Sequence, residues 1–147
     1  MKVGSLCSRN PVTVHSGATG IEAARLMCEH HIGAVIVTAS PADAPVAVGM
    51  VTDRDLVRAQ LERPVDLGQL RIADVMSGDP LVLNENDGVD DAIRRMRARG
   101  VRRAPVVNGS GALVGAISFD DLLGHVSANV AALAQAAGRM PAGGPRS

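Results

Sequence analysis

The stretch Gly49-Met50-Val51-Thr52-Asp53-Arg54-Asp55 returns later in the chain as Gly115-Ala116-Ile117-Ser118-Phe119-Asp120-Asp121, and both read G-x-x-[S/T]-x-x-D. In each copy an apolar extended segment runs into a hydroxyl residue placed where a helix starts. Thr52 and Ser118 have N-cap chemistry, because a side-chain oxygen there accepts a hydrogen bond from an unpaired N–H of the first turn. Such a hydroxyl, beside those N–H groups and the positive end of the dipole, also favours a phosphate. Asp55 and Asp121 lie one turn on, on the same face, and a carboxylate can accept two hydrogen bonds from a vicinal diol such as ribose. A ligand with a phosphate, a ribose and a flat apolar base meets all three features. Helix capping alone explains one such motif; its recurrence at equivalent positions favours a paired site.

Working outward, residues 3–38 lie on residues 72–107 at a constant offset of 69 without a gap. The identities are Ser8/Ser77, Pro11/Pro80, Ala23/Ala92, Arg25/Arg94, Met27/Met96 and Val37/Val106. Farther on the offset falls to 66, where Val48-Gly49 matches Val114-Gly115 and Asp55-Leu56 matches Asp121-Leu122. The difference falls between Ala39–Pro45 and Asn108–Gly111, in a loop, where insertions cost least. A unit of about 60 residues is marginal alone, so the two copies are expected to bury their apolar faces against each other. The expected organisation is a first repeat at 3–61, a connector at 62–71, a second repeat at 72–126, a C-terminal helix at 127–138 and a disordered Pro/Gly-rich tail at 139–147.

Each unit reads strand, helix, strand, strand, helix. Val12-Thr13-Val14 and Leu81-Val82-Leu83 follow prolines that start extended segments. Thr19 with Glu22 has capping-box spacing, and Ala23, Ala24 and Met27 form the apolar stripe that follows. In the second copy Asp87 is the expected N-cap, Val89, Ala92, Ile93 and Met96 keep helical spacing, and Gly100 ends the helix. Ala34–Thr38 with Val46–Val51, and Ala104–Val107 with Leu113–Ile117, read as hairpins. Helices then carry Leu56, Val57 and Leu61 in one copy and Leu122, Leu123 and Val126 in the other. The spacing Val126, Val130, Leu133, Ala137 carries the last helix to Gly138, with an apolar stripe suited to a second chain.

The composition narrows the function classes. Of 147 residues, 46% are hydrophobic, and 15 Lys+Arg balance 15 Asp+Glu. Zero net charge excludes a protein held to nucleic acid or acidic membrane by bulk positive charge. The single aromatic residue, Phe119, excludes base-stacking readers, which need several rings. Cys7 and Cys28 do not make a disulfide scaffold. The first residues lack the apolar stretch of a secretory signal, so a reducing cytoplasm is the expected location. The longest uncharged run, Leu122 to Gly138, contains His125, Ser127, Asn129 and Gln135 and is too short and polar to span a bilayer.

The duplicated units, their two motifs and the run Val101-Arg102-Arg103-Ala104-Pro105-Val106-Val107 ahead of the second hairpin resemble a tandem pair of cystathionine-β-synthase (CBS) domains, the Bateman module. The resemblance covers roughly residues 3–126. It implies an α+β fold of two β-α-β-β-α repeats packed with pseudo-twofold symmetry, and a regulatory rather than catalytic protein. It further implies two clefts between the repeats that bind adenosine-containing ligands such as AMP, ADP, ATP, NAD or S-adenosylmethionine. Carried over by position, Asp55 and Asp121 accept the ribose hydroxyls, Thr52 and Ser118 face the phosphates, and Met50 and Ala116 line the base. Ile32 and Val101 stand at the approach to each hairpin. Arg102 and Arg103 take the place of basic phosphate ligands, where the first repeat has Gly33 and Ala34. The two clefts are therefore expected to differ. A charge-assisted hydrogen bond of roughly 1.5–3 kcal/mol makes the cleft served by Arg102 and Arg103 ten- to a hundredfold tighter for an anion. Ile36 replaces the family-typical proline kept at Pro105.

The resemblance also implies a homodimer, a flat disc formed through the helices, and a separate regulated protein. The alternative is a constitutive dimerisation or scaffold module with vestigial clefts. Other clusters carry less. Arg94, Arg95, Arg97, Arg99, Arg102 and Arg103 read as a solvated helix face rather than a nucleic-acid patch. Cys28, His30 and His31 offer two ligands on one face, and a third from Cys7, His15 or a second chain would be needed for zinc. No Ser/His/Asp or G-x-S-x-G arrangement is present, so no catalytic residue is assigned to Cys7, Cys28 or any other position.

Overall fold

The apolar run Ala34–Ala39 is buried over Val35–Thr38, so it forms a strand with neighbours on both sides. This strand, β2 (Ala34–Ala39), pairs in parallel with β1 (Thr13–His15) and antiparallel with β3 (Val46–Thr52). The parallel step requires a crossover, supplied by α1 (Gly20–His30), and α2 (Asp53–Glu62) follows β3 directly. α3 (Ile72–Val75) and the short β4 (Ser77–Gly78) lead into the second repeat: β5 (Leu83–Asn84), α4 (Val89–Arg99), β6 (Arg103–Val107), β7 (Leu113–Ser118) and α5 (Phe119–Gly138). The computed structural model describes residues 1–39 and 45–138; the expected tail at 139–147 lies outside them.

The local signals work as physical chemistry requires. Glu22 accepts the Thr19 N–H at 2.7 Å, closing the start of α1. Both crossover helices end in a left-handed residue, His31 at φ 54° and Gly100 at φ 64°; glycine takes that conformation without the steric penalty His31 bears. Both hairpins shift register at the equivalent place, between Val37 and Thr38 and between Val106 and Val107. The expected N-cap at Asp87 is corrected: Gly88 caps α4. The Asp87 carboxylate accepts the Asn84 N–H at 2.8 Å and meets Arg95 at 2.9 Å, bracing the corner between β5 and α4. Likewise the expected Leu81–Leu83 strand is corrected: β5 begins two residues later, at Leu83, and runs on to Asn84. In the first repeat Ile36 donates its N–H to the Val12 carbonyl. Pro105, its counterpart, has no N–H to offer Leu81.

The two cores exchange their leading segments. Val3, fully buried, packs with Leu83, Val106 and Ile117 of the second repeat, with Leu6 and Cys7 beside it. Ile72, also fully buried, packs with Val35, Val51 and Leu56 of the first repeat. The sheet edges follow the same pattern: Ser77 pairs with Met50, and Ser8 with Ala116. Each hairpin is thus flanked by the segment that leads the other repeat, which gives the pair its pseudo-twofold symmetry.

α5 runs unbroken for 20 residues, and every residue from Val126 to Gly138 is exposed. Among the described residues, no helix is long and apolar enough to cross a membrane.

Candidate functional site

Because the leaders cross, the clefts between the repeats are built crosswise. A cleft of about 600 Å³ joins Met50, Thr52 and Asp55 of the first repeat to Val101, Arg102 and Arg103 of the second, with Gly33 also on its wall. A smaller cleft of about 240 Å³ joins Ala116, Ser118 and Asp121 of the second repeat to Ile32 of the first, with Arg103 reaching it too. Every site residue named from the sequence falls on one of these two walls.

Further lining residues are related by the repeat itself. Asp79, Pro80, Leu81 and Arg99 line the larger cleft, and Asn10, Pro11, Val12 and His30 stand in their places in the smaller one. The motif reading missed all eight, although the offset of 69 pairs each with its counterpart. The exchange His30/Arg99 and the exchange Asn10/Asp79 make the electrostatics unequal. The larger cleft holds Arg54, Arg99, Arg102 and Arg103 with Asp53, Asp55 and Asp79; the smaller holds Arg103, His30 and Asp121. Arg99, on the wall of the larger cleft, donates to the Asp79 carbonyl at 2.6 Å. Arg102 lies over the Phe119 ring, its guanidinium carbon 5.4 Å from the centroid, a cation–π contact that leaves its N–H groups available.

The helix starts are already engaged. The Asp55 carboxylate accepts the Thr52 N–H at 2.9 Å, and the Thr52 hydroxyl accepts the Asp55 N–H at 3.0 Å. Ser118 and Asp121 repeat this box at 2.9 and 3.1 Å. In each carboxylate Oδ2 belongs to the cap, so Oδ1 is the oxygen left to meet a ligand. The Asp53 N–H donates to Gly33, the Arg54 N–H to the Asp53 carboxylate, and the Phe119 N–H to Arg102. With the first three amides of α2 taken, attraction for an anion in the larger cleft falls to guanidinium groups rather than to the helix start.

Cys28 is exposed and His30 lines the smaller cleft, and among the described residues no three His, Cys, Asp or Glu side chains gather as a metal site. Cys7 packs under Gly115 beside the second core, and burial pushes its thiol pKa up, with Arg9 opposing the shift.

Known proteins share both sequence and shape. The CBS domain family matches residues 3–62 and again residues 72–128. The CBS domain-containing protein YhcV of Bacillus subtilis is 34% identical over 82% of this chain and 81% of its own length. An uncharacterized protein of Methanopyrus kandleri is 31% identical over 84% of this chain, which spans 61% of that relative. A CBS domain protein from Pyrobaculum aerophilum, solved complexed with AMP, superposes with a TM-score of 0.72 at 30% identity, over 82% of this chain and 89% of that one. With both halves matched in sequence and the crossed two-sheet architecture shared, the chain belongs to the CBS domain family, as a tandem pair of CBS domains.

Proposed function

We propose that this CBS pair is a ligand-sensing regulatory module. It takes adenosine compounds that carry phosphate, AMP foremost, in the clefts between its repeats, and it alters the association of a regulated protein in response. The observation that carries this reading is the larger cleft, which Asp55 lines together with Arg99, Arg102 and Arg103, with Met50 and Val101 as apolar lining. That arrangement offers a ribose acceptor, phosphate donors and a surface for the base in one crevice. The AMP complex of the Pyrobaculum relative supports the ligand class. NAD belongs to the same class, and S-adenosylmethionine, an adenosyl compound without phosphate, is the natural comparator. A ligand that bridges the two repeats shifts their relative arrangement only as far as it binds one arrangement better, so the regulatory signal is a differential affinity.

A thermal-unfolding series with AMP, ATP, NAD and S-adenosylmethionine tests the reading. A true ligand at a hundred times its Kd adds about 2.7 kcal/mol of stability. If none of the four moves the transition, the reading fails. The capping boxes favour a second reading, a constitutive scaffold with vestigial clefts, because capping alone accounts for Thr52, Asp55, Ser118 and Asp121. In either reading the module pairs with a second copy. Val57 and Leu61 on α2, and Leu123, Val130 and Leu133 on α5, are exposed apolar side chains on the motif-bearing helices.

A further inference from the structure

Ala34 and Arg103 occupy the same position in the two repeats, each opening the first strand of its hairpin. Among the described residues they are the two that line both clefts. They therefore stand where the pseudo-twofold axis runs between the two sites. On one side of that axis is a methyl group; on the other is a guanidinium. Arg103 is half-buried and directly opposite Ser118 across the β6–β7 pair, which places the two side chains on the same face of the sheet. Among the described residues its side chain has no hydrogen bond and no ion pair, whereas Arg9, Arg94, Arg95 and Arg99 are each held by a carboxylate. Two clefts thus share one uncommitted cation.

We infer that Arg103 is a shared phosphate ligand, so that an anionic ligand in one cleft withdraws it from the other and the two clefts bind anions anticooperatively. This rests on the reading that the clefts accept phosphate-bearing nucleosides. The larger cleft keeps Arg99 and Arg102 whichever way Arg103 turns. Among the described residues Arg103 is the one arginine of the smaller cleft, so the cost of sharing falls there. An uncharged nucleoside makes no demand on the guanidinium and leaves the clefts independent. Simple repulsion between two bound anions would also oppose double occupancy. It differs in one respect: repulsion grows when Arg103 is removed, whereas competition for Arg103 disappears.

Calorimetric titration of the full chain with AMP, and with adenosine as the uncharged control, separates these cases. Met50→Trp fills the larger cleft without adding an anion. The smaller cleft of that variant should bind AMP roughly tenfold tighter than the second site of the wild type, the size of one charge-assisted contact regained. In an Arg103→Gln background the same block should change the smaller cleft less than about twofold. Ala34→Arg gives each cleft its own guanidinium and should bring the second AMP close to the affinity seen in the blocked variant, an independent check should the tryptophan disturb folding. Anticooperativity that persists in Arg103→Gln, or that adenosine shows equally, overturns the inference while leaving the clefts as nucleotide sites. Failure of AMP to bind either cleft overturns the parent reading, and this inference with it.

Discussion

Gly115 has no side chain because Ser8 passes over it. A Cβ at that position would overlap the Ser8 carbonyl oxygen, and Ser8 and Ala116 exchange both backbone hydrogen bonds, at 2.9 and 3.0 Å. Gly49 repeats the relationship in the other repeat, where a Cβ would lie 2.7 Å from the Ser77 carbonyl oxygen. The glycine that opens each motif is therefore a crossing point of the exchanged leaders. Gly115→Ala and Gly49→Ala should each destabilise the fold by about 1–3 kcal/mol through overpacking. Gly115→Ala should be the worse of the two, because all of its closest approaches but one are to Ser8 backbone atoms, while Met76 can yield near Gly49. Urea unfolding measures the difference; an alanine at Gly115 that leaves the midpoint unchanged would contradict the crossing.

The carboxylates of the motif hold their helices whether or not a ligand is present. Asp55→Ala or Thr52→Ala should cost about 1 kcal/mol of stability without any added nucleotide, as loss of a cap does. Asp55→Asn keeps an oxygen for the Thr52 N–H but loses the charge facing the cleft. It should therefore unfold close to wild type while binding AMP several-fold more weakly, an expectation that parallel melts and titrations can check.

Inequality between the clefts should respond to the His30/Arg99 exchange. Arg99→Ala should weaken AMP binding in the larger cleft by about tenfold, the size of one charge-assisted contact. His30→Arg should strengthen the smaller cleft by a similar factor. Titration in a Met50→Trp background isolates the second effect.

Thiol labelling should separate the two cysteines. Burial raises the Cys7 pKa above its ordinary value, so its thiolate is scarce at neutral pH and appears only as the pH climbs through the raised value. Cys28 is exposed on α1. Iodoacetamide at pH 7.5 should thus modify Cys28 first, with the gap narrowing as pH rises. Because the folded state favours the neutral Cys7 thiol, stability is complete below the ordinary thiol pKa and falls as pH rises through the raised one. Equal labelling rates at neutral pH, measured by mass spectrometry of the two peptides, would contradict the partly buried placement of Cys7.

Pairing of copies should depend on the exposed stripes. Leu133 is 71% exposed and Leu61 82% exposed, and neither touches the core of its own chain. Leu133→Glu combined with Leu61→Glu should shift sedimentation towards the monomer with little change in the unfolding midpoint of the isolated fold. A wild-type chain that sediments as a monomer at high concentration would remove the proposal of pairing.

Periodicity and spacing were enough for the local architecture. The strand-helix-hairpin-helix order, the Thr19, Thr52 and Ser118 helix starts and the left-handed stop at Gly100 all rest on interactions a few residues apart, which a linear string records. The short strand β5 is a partial exception. Pro105 lies more than twenty residues downstream of Leu81, and its missing N–H acts only once the two segments are neighbours. Asp87 misled for a related reason: its carboxylate turns away from the helix start to meet Arg95 and Asn84, a choice made by the corner as a whole.

Residue order alone established that this chain is one unit written twice, and which side chains cap its paired helix starts, because repetition and helix capping are properties of the string. Folding alone decided which copy each segment serves. A leader such as Val3–Ser8 offers the same hydrogen bonds and the same apolar side chains to either hairpin, so local energetics leave the choice open. The tertiary structure resolves it by sending each leader across, Val3 into the core of the second repeat and Ile72 into that of the first, so that each repeat keeps a separate core rather than burying its apolar face against the other copy. That crossing sets Asp55 against Arg102, Asp121 against Ile32, and Arg103 between both clefts.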